Sequence, residues 1–294
     1  WVVGAAGRVA RHDGAAFAKL STDPASCTQV VAAGESAWAL CGSAIYQRAP
    51  GGNWTELPAL TLRPTLSNKA IWADGPNNVW VLKGTTSGQS TVFRWDGAAW
   101  TEIRNIFDTY FAISGSATHI NIAGLAGKVA RYDVVGGSWQ DQTSNAATSL
   151  FAVTAVGAKV WTVGLNGFGS HFDGTGWTSR QTVANAHLRA IHALDENNVW
   201  AVGDLGAASR WNGTGWVRTG LPLSLASDLN LTSVYVEASD SVWAVAGASG
   251  TLFHWNGTQW RVASALEQPA GAKAITGLSN GQLISVGNGV QIAR

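Results

Sequence analysis

Methionine is absent, cysteine occurs twice and proline seven times in 294 residues, and charged residues make up 13%, about half of the roughly 25% usual in globular chains. Each shortage excludes something. Two cysteines cannot build a disulfide framework or a four-cysteine zinc site. The 19 Lys+Arg are matched by 18 Asp+Glu, a formal net charge of +1, so no basic stripe for displacing counterions from nucleic acid is expected. No apolar run approaches the roughly 18 residues of a membrane helix, and no transmembrane segment is expected. Low charge combined with 46% hydrophobic residues argues against disorder. No initiator methionine precedes Trp1; a mature secreted chain or a trimmed fragment would begin this way.

What is abundant is glycine, with 35 residues, and tryptophan, with 16, and both follow a repeat. One signature is an aromatic ring, Asp or Asn, Gly, two free positions and a second aromatic. It occurs at His12–Phe17, Trp95–Trp100, Phe172–Trp177, Trp211–Trp216 and Trp255–Trp260, with looser copies ending at Trp54 and Trp139. A second signature is Val-Trp-x-Val, at Val79-Trp80, Val160-Trp161, Val199-Trp200 and Val242-Trp243. Weaker copies of it are at Ala37-Trp38, Ile120-Asn121 and Leu283-Ile284. The steps from Trp38 through Trp80, Asn121, Trp161, Trp200 and Trp243 to Ile284 are 42, 41, 40, 39, 43 and 41 residues. Such a period lies in the range of propeller blades, roughly 40–50 residues.

Each unit reads as four short strands, A to D. Around Trp200 they are Leu188–Ala193, Val199–Val202, Ala207–Trp211 and Gly215–Arg218. The Asn-Gly and Asp-Gly pairs between C and D tolerate positive φ and mark tight hairpins. Nothing shows a convincing helical period. The expected fold is therefore all-β: a single β-propeller domain over residues 1–294. The repeats fall near 1–26, 27–65, 66–108, 109–147, 148–186, 187–229, 230–270 and 271–294. The first unit lacks its A strand and the last its D strand. Eight blades are slightly preferred over seven, because Trp1-Val2-Val3 is too apolar to hang free. The recurrent tryptophans are expected to fill the space between blades.

These residues carry a family resemblance. The C–D turn with its closing Trp resembles the Asp-box (BNR) hairpin of sialidase-like propellers, S-x-D-x-G-x-x-W. The string V-W-A-V-G-x-x-G-x-x-x-R-W-N-G-x-x-W at 199–216 resembles the repeats of photosystem II assembly-factor-like proteins and of related secreted bacterial proteins. The resemblance covers nearly the whole chain as architecture and implies little about activity, since the Asp-box is a folding motif. The sequence also departs from it: the leading Ser is missing, and the Asp is often Asn. Tyr235 and Glu237, the Tyr–Glu arrangement a sialidase would use, fall in an ordinary A strand. Trp95-Asp96 lacks the Gly-His that accompanies it in WD40 repeats.

Cys27 precedes strand A of its unit and Cys41 ends strand B. Pairing about Gly34 sets the two cysteines opposite each other, so a disulfide is expected, against two buried thiols. A disulfide implies an oxidising compartment: secreted, periplasmic or cell surface. Of the six histidines, His12, His171 and His254 lie near the ends of C strands in different units and do not converge, so no metal and no cofactor is expected; Ca²⁺ on backbone carbonyls of the central channel stays open. Carboxylates fall mostly in turns, where Asx hydrogen bonds explain them.

Function is expected on the face formed by the B–C and D–A loops. Phe107, Asp108, Tyr110, His187 and Asp204 are the candidate ligand-binding residues there, since a sugar site needs an aromatic platform and a few polar groups. Ordinary loop anchoring is the plainer explanation of the same residues. The function these observations favour is a non-enzymatic, secreted or cell-surface binding module. It would act as a protein-interaction scaffold or as a lectin-like glycan binder, with a protein or a glycan as partner. The alternative is a sialidase-like or other polysaccharide-active hydrolase, which would need a cluster of three Arg or a close carboxylate pair at the channel.

Overall fold

A computed structural model describes residues 2–4, 8–12, 17–21, 27–85, 88–182, 185–222, 229–247, 249–263, 272–281 and 283–287. A three-stranded sheet joins β1 (Val2–Gly4), β2 (Arg8–His12) and β3 (Phe17–Ser21). Six four-stranded antiparallel sheets follow, here numbered as blades. Blade 1 is β4 (Cys27–Ala33), β5 (Ser36–Cys41), β6 (Ala44–Arg48) and β7 (Trp54–Glu56). Blade 2 is β8 (Ser67–Gly75), β9 (Asn78–Gly84), β10 (Ser90–Trp95) and β11 (Trp100–Ile106). Blade 3 is β12 (Tyr110–Gly115), β13 (His119–Gly124), β14 (Lys128–Asp133) and β15 (Ser138–Thr143). Blade 4 is β16 (Leu150–Val156), β17 (Lys159–Gly164), β18 (Phe168–Phe172) and β19 (Trp177–Gln181). Blade 5 is β20 (Leu188–Asp195), β21 (Asn198–Gly203), β22 (Ala208–Trp211) and β23 (Trp216–Arg218). Blade 6 is β24 (Leu231–Ala238), β25 (Ser241–Ala246), β26 (Thr251–Trp255) and β27 (Trp260–Val262). A two-stranded sheet, β28 (Ala272–Gly277) with β29 (Leu283–Gly287), ends the described chain.

The molecule is a six-bladed β-propeller with four-stranded blades, which corrects the expectation of eight blades and the alternative of seven. Counting B–C hairpins misleads because a hairpin is only half a blade. The first-strand ring runs β4, β8, β12, β16, β20, β24, and β28 packs against both β24 and β4, closing it. The remaining strands at the N-terminus pair among themselves, with β1 beside β29.

Local chemistry explains the blades. At the C–D turns of blades 2 to 6 an Asx side chain caps the chain: Asp96 Oδ1 accepts the N–H groups of Ala98 and Ala99 at 2.9 and 2.8 Å. Asn212 Oδ1 does the same for Thr214 and Gly215 at 3.1 and 3.0 Å, so Asn serves as well as Asp. The glycine after the cap has positive φ, +99° at Gly97 and +97° at Gly213, which a side chain would strain. Trp38, Trp80, Trp161 and Trp200, in the B strands of blades 1, 2, 4 and 5, are fully buried. Trp80 packs on Ile113, Ile120 and Ile122 of blade 3, and Trp200 on Val234, Val236 and Phe253 of blade 6. The inter-blade core is thus built from the flat rings the repeat supplies. Among the described residues no helix is long and apolar enough to cross a membrane.

A disulfide joins Cys27 to Cys41. The β4–β5 ladder pairs Ala33 with Ser36 and Gln29 with Leu40; a bulge at Thr28 then shifts the register so that Cys27 faces Cys41.

Candidate binding site at the channel mouth

The bulge at Thr28 is not isolated. The first strand of every blade, and β28 likewise, breaks its ladder near its start, after one paired residue or, in β8, after two. The unpaired residues are Thr28, Lys69, Phe111, Phe151, Arg189, Thr232 and Lys273. A bulge re-aims a side chain out of the strict in–out alternation and is common at barrel rims. Here the repeated bulge stands where the first strand leaves the D–A loop. This is the loop face on which function was expected.

A second repeated contact fixes the same level. The D–A carbonyls of Thr109, Ser149 and His187 accept the N–H groups of Leu125, Leu165 and Asp204 at 3.0, 3.0 and 2.8 Å. Those N–H groups begin the tight B–C turns Leu125–Gly127, Leu165–Gly167 and Asp204–Gly206. The carbonyls reach in so closely because the B strands end in glycine. A Cβ on Gly124, Gly164 or Gly203 would sit 2.2, 1.9 or 1.9 Å from them.

Six of the bulged residues (Thr28, Phe111, Phe151, Arg189, Thr232 and Lys273), with Gln29 and Ser233, line a channel-mouth cavity of about 470 Å³. Phe111 and Phe151 meet edge to face with centroids 6.0 Å apart. The ring of His187 continues the row at 6.3 Å from Phe151, and the Arg189 guanidinium lies 5.3 Å over the Phe151 ring. Arg189 is held by two bonds to Asp204, at 2.9 and 2.8 Å, which raise the affinity of the guanidinium for its proton and hold the Asp204 carboxyl below the usual range. Across the mouth, Thr232 Oγ1 donates to the Lys273 carbonyl at 2.8 Å. Gln29 spans from blade 1 to blade 2, donating to the Lys69 carbonyl at 2.8 Å and accepting from the Ile71 N–H at 3.1 Å. Among the described residues no carboxylate lies within ion-pair distance of Lys69 or Lys273. The mouth is an aromatic arc beside a cationic arc.

The residues expected from the sequence fall in two groups. Phe107 and Asp108 lie on the connection into blade 3, and Tyr110 opens β12. Phe107 is 85% exposed, and Asp108 is paired with Lys128. Tyr110 is buried in the core between blades, and burial pushes its hydroxyl pKa up to about 12. His187 and Asp204 do come together: the Asp204 N–H donates to the His187 carbonyl, while His187 Nδ1 accepts from the Asn166 N–H at 3.1 Å. Phe111, Phe151, Arg189 and Lys273 were not anticipated. Aligning the units on the first residue of strand A would have exposed them. The position after it holds Thr, Phe, Phe, Arg, Thr and Lys, with Lys69 one place further on in β8.

No protein-family model matches the chain, Asp-box models included, and no curated protein matches it. Solved structures do. A streptogramin B lyase structure superposes with TM-score 0.71 at 14% identity, covering 90% of this chain and 91% of that one. The RRP9 WD40 repeats give 0.69 at 11% identity over 96% and 90% of the two chains. YCF48 bound to a D1 peptide gives 0.63 at 15% identity over 90% and 89%. The likeness is one of fold. Among the described residues no group of three or more His, Cys, Asp and Glu is placed to hold a metal.

Proposed function

We propose that the chain is a non-enzymatic binding module that takes a protein partner on its loop face, at the mouth of the channel. The supporting observation is the repeated bulge, which sets Phe111, Phe151, Arg189 and Lys273 around one cavity without using them in the ladder. Aromatic rings and arginine are the side chains that dominate protein recognition, and a lysine with no carboxylate in ion-pair reach among the described residues favours an acidic partner. The partner segment this surface suits has an apolar side chain for the Phe111–Phe151 arc and an acidic group for Lys273. One fold neighbour, YCF48, is itself described with a bound peptide. We place the protein in an oxidising compartment, on the strength of the buried Cys27–Cys41 bridge.

A random-peptide selection run beside a glycan array tests this reading. Selected peptides are expected to share an acidic residue next to an aromatic or aliphatic one. Their affinity should fall at least tenfold in Phe151→Ala and in Lys273→Ala. Glycan hits that depend on Phe151, with no peptide selected, would replace the protein partner by a carbohydrate.

A further inference from the structure

A second cavity, of about 620 Å³, lies between blades 1 and 2 under the connection 57–66. Its wall mixes apolar side chains, Ile45, Leu57, Leu60 and Leu66 among them, with polar ones, and Lys83 from the end of β9 lines it. Lys83 is 6% exposed. Its Nζ reaches two acceptors, the carbonyls of Leu60 and Leu62, both at 3.4 Å, the outer limit of a hydrogen bond. Among the described residues no carboxylate lies within ion-pair distance of it. Glu56, the carboxylate in the cavity wall, accepts from the Tyr46 hydroxyl at 3.2 Å.

The Phe93 ring also faces the ammonium, its centroid 6.0 Å away. A buried ammonium with two long hydrogen bonds and one distant ring is expensive unless something completes its shell. Anchoring the overlying connection does not require it. Trp100 Nε1 donates to the Pro58 carbonyl at 2.9 Å, and Arg63 forks onto Glu102 at 3.0 and 2.9 Å, so the connection is already tied down at two points. Burial lowers the pKa of Lys83 below the usual lysine value. The volume suits a small organic ligand.

We propose that this cavity is a binding site for a small monocarboxylate with an apolar body, its carboxylate seated on Lys83 and its body against Leu57, Leu60 and Leu66. Ion pairing would complete the ammonium shell, and the apolar wall would cover the remainder of the ligand.

The test is a titration of the ¹⁵N-labelled protein with 4-phenylbutyrate and, as the uncharged control, 4-phenylbutanol. The acid is expected to bind at least tenfold more tightly than the alcohol, as a charge-assisted bond requires. The amide shifts should centre on Ala44, Ala59 and Asn68. In Lys83→Met that preference should fall to about one. In Ser43→Trp, a change at an exposed turn that fills the cavity from outside, both probes should weaken at least tenfold. This second variant decides the matter if Lys83→Met does not fold. Equal affinity for the two probes, binding of neither at millimolar concentration, shifts centred elsewhere, or either variant behaving as wild type would overturn the proposal.

Discussion

Replacing Gly164 by alanine tests the account of the channel mouth most directly. Gly164 has φ −169°, extended backbone open to any residue, so the substitution carries no conformational strain. The cost is steric. The added Cβ would lie 1.9 Å from the Ser149 carbonyl oxygen, 2.8 Å from Leu150 Cα and 2.9 Å from the Ser149 carbonyl carbon. All three are backbone atoms and cannot rotate away. Relief requires β16 to move out, which breaks the 3.0 Å bond from the Leu165 N–H to Ser149 and shifts Phe151 two residues on. A lost hydrogen bond costs about 1 kcal/mol and overpacking roughly 1–3, so a total of about 2–4 kcal/mol is expected. At roughly 2–4 °C per kcal/mol this lowers the melting temperature by about 5–15 °C in calorimetry. Gly176→Ala is the control: nothing lies within 4 Å of a Cβ there, and the change should stay within about 0.5 kcal/mol. If the two variants melt alike, the carbonyl approach does not set the mouth and the reasoning fails.

Two further outcomes follow from the same structure. The bridge between Cys27 and Cys41 spans a sequence separation of 14, so the double variant Cys27→Ala/Cys41→Ala should lose about 3 kcal/mol; an unchanged denaturation midpoint would show that the ladder alone holds β4 to β5. Burial lowers the pKa of His192 to about 4, and its Nδ1 accepts the Val236 N–H at 3.2 Å. The folded state therefore holds this ring neutral. Its contribution is fully present above the unfolded value of about 6.5 and is lost as the pH falls towards 4. Urea titrations over that window should show a shallower acid slope in His192→Gln than in wild type.

Much of the blade was legible in the sequence. Asp96, Asp173, Asn212 and Asn256 stand at their turns because a side-chain acceptor and a following glycine suffice to reverse the chain, and both are written locally. Trp80 and Trp200 were placed between sheets for an equally local reason, one flat ring per unit at a fixed strand position. The number of blades was not local. It depends on β28 finding β24 on one side and β4 on the other, a closure between distant segments. The mouth residues escaped for a different reason. Alternation along β16 and β20 predicts which side chains face inward only while the register holds, and the bulges at Phe151 and Arg189 break it at the residues that matter. Next to the expected Tyr110, which is buried, the ring that lines the mouth is Phe111.

The repeated bulge separates two kinds of selection. Residues on the ladder answer to packing, and a change at Leu150 or Leu188, both fully buried, is felt by the whole sheet. Phe151 and Arg189 stand outside that constraint, at fixed angular stations around a common axis. Their contacts are with one another and with the loops, the Arg189 guanidinium over the Phe151 ring and on Asp204, so a change there leaves the ladder that carries them as it is. A scaffold of this kind acquires a new partner by rewriting a few positions, and keeps its stability while doing so.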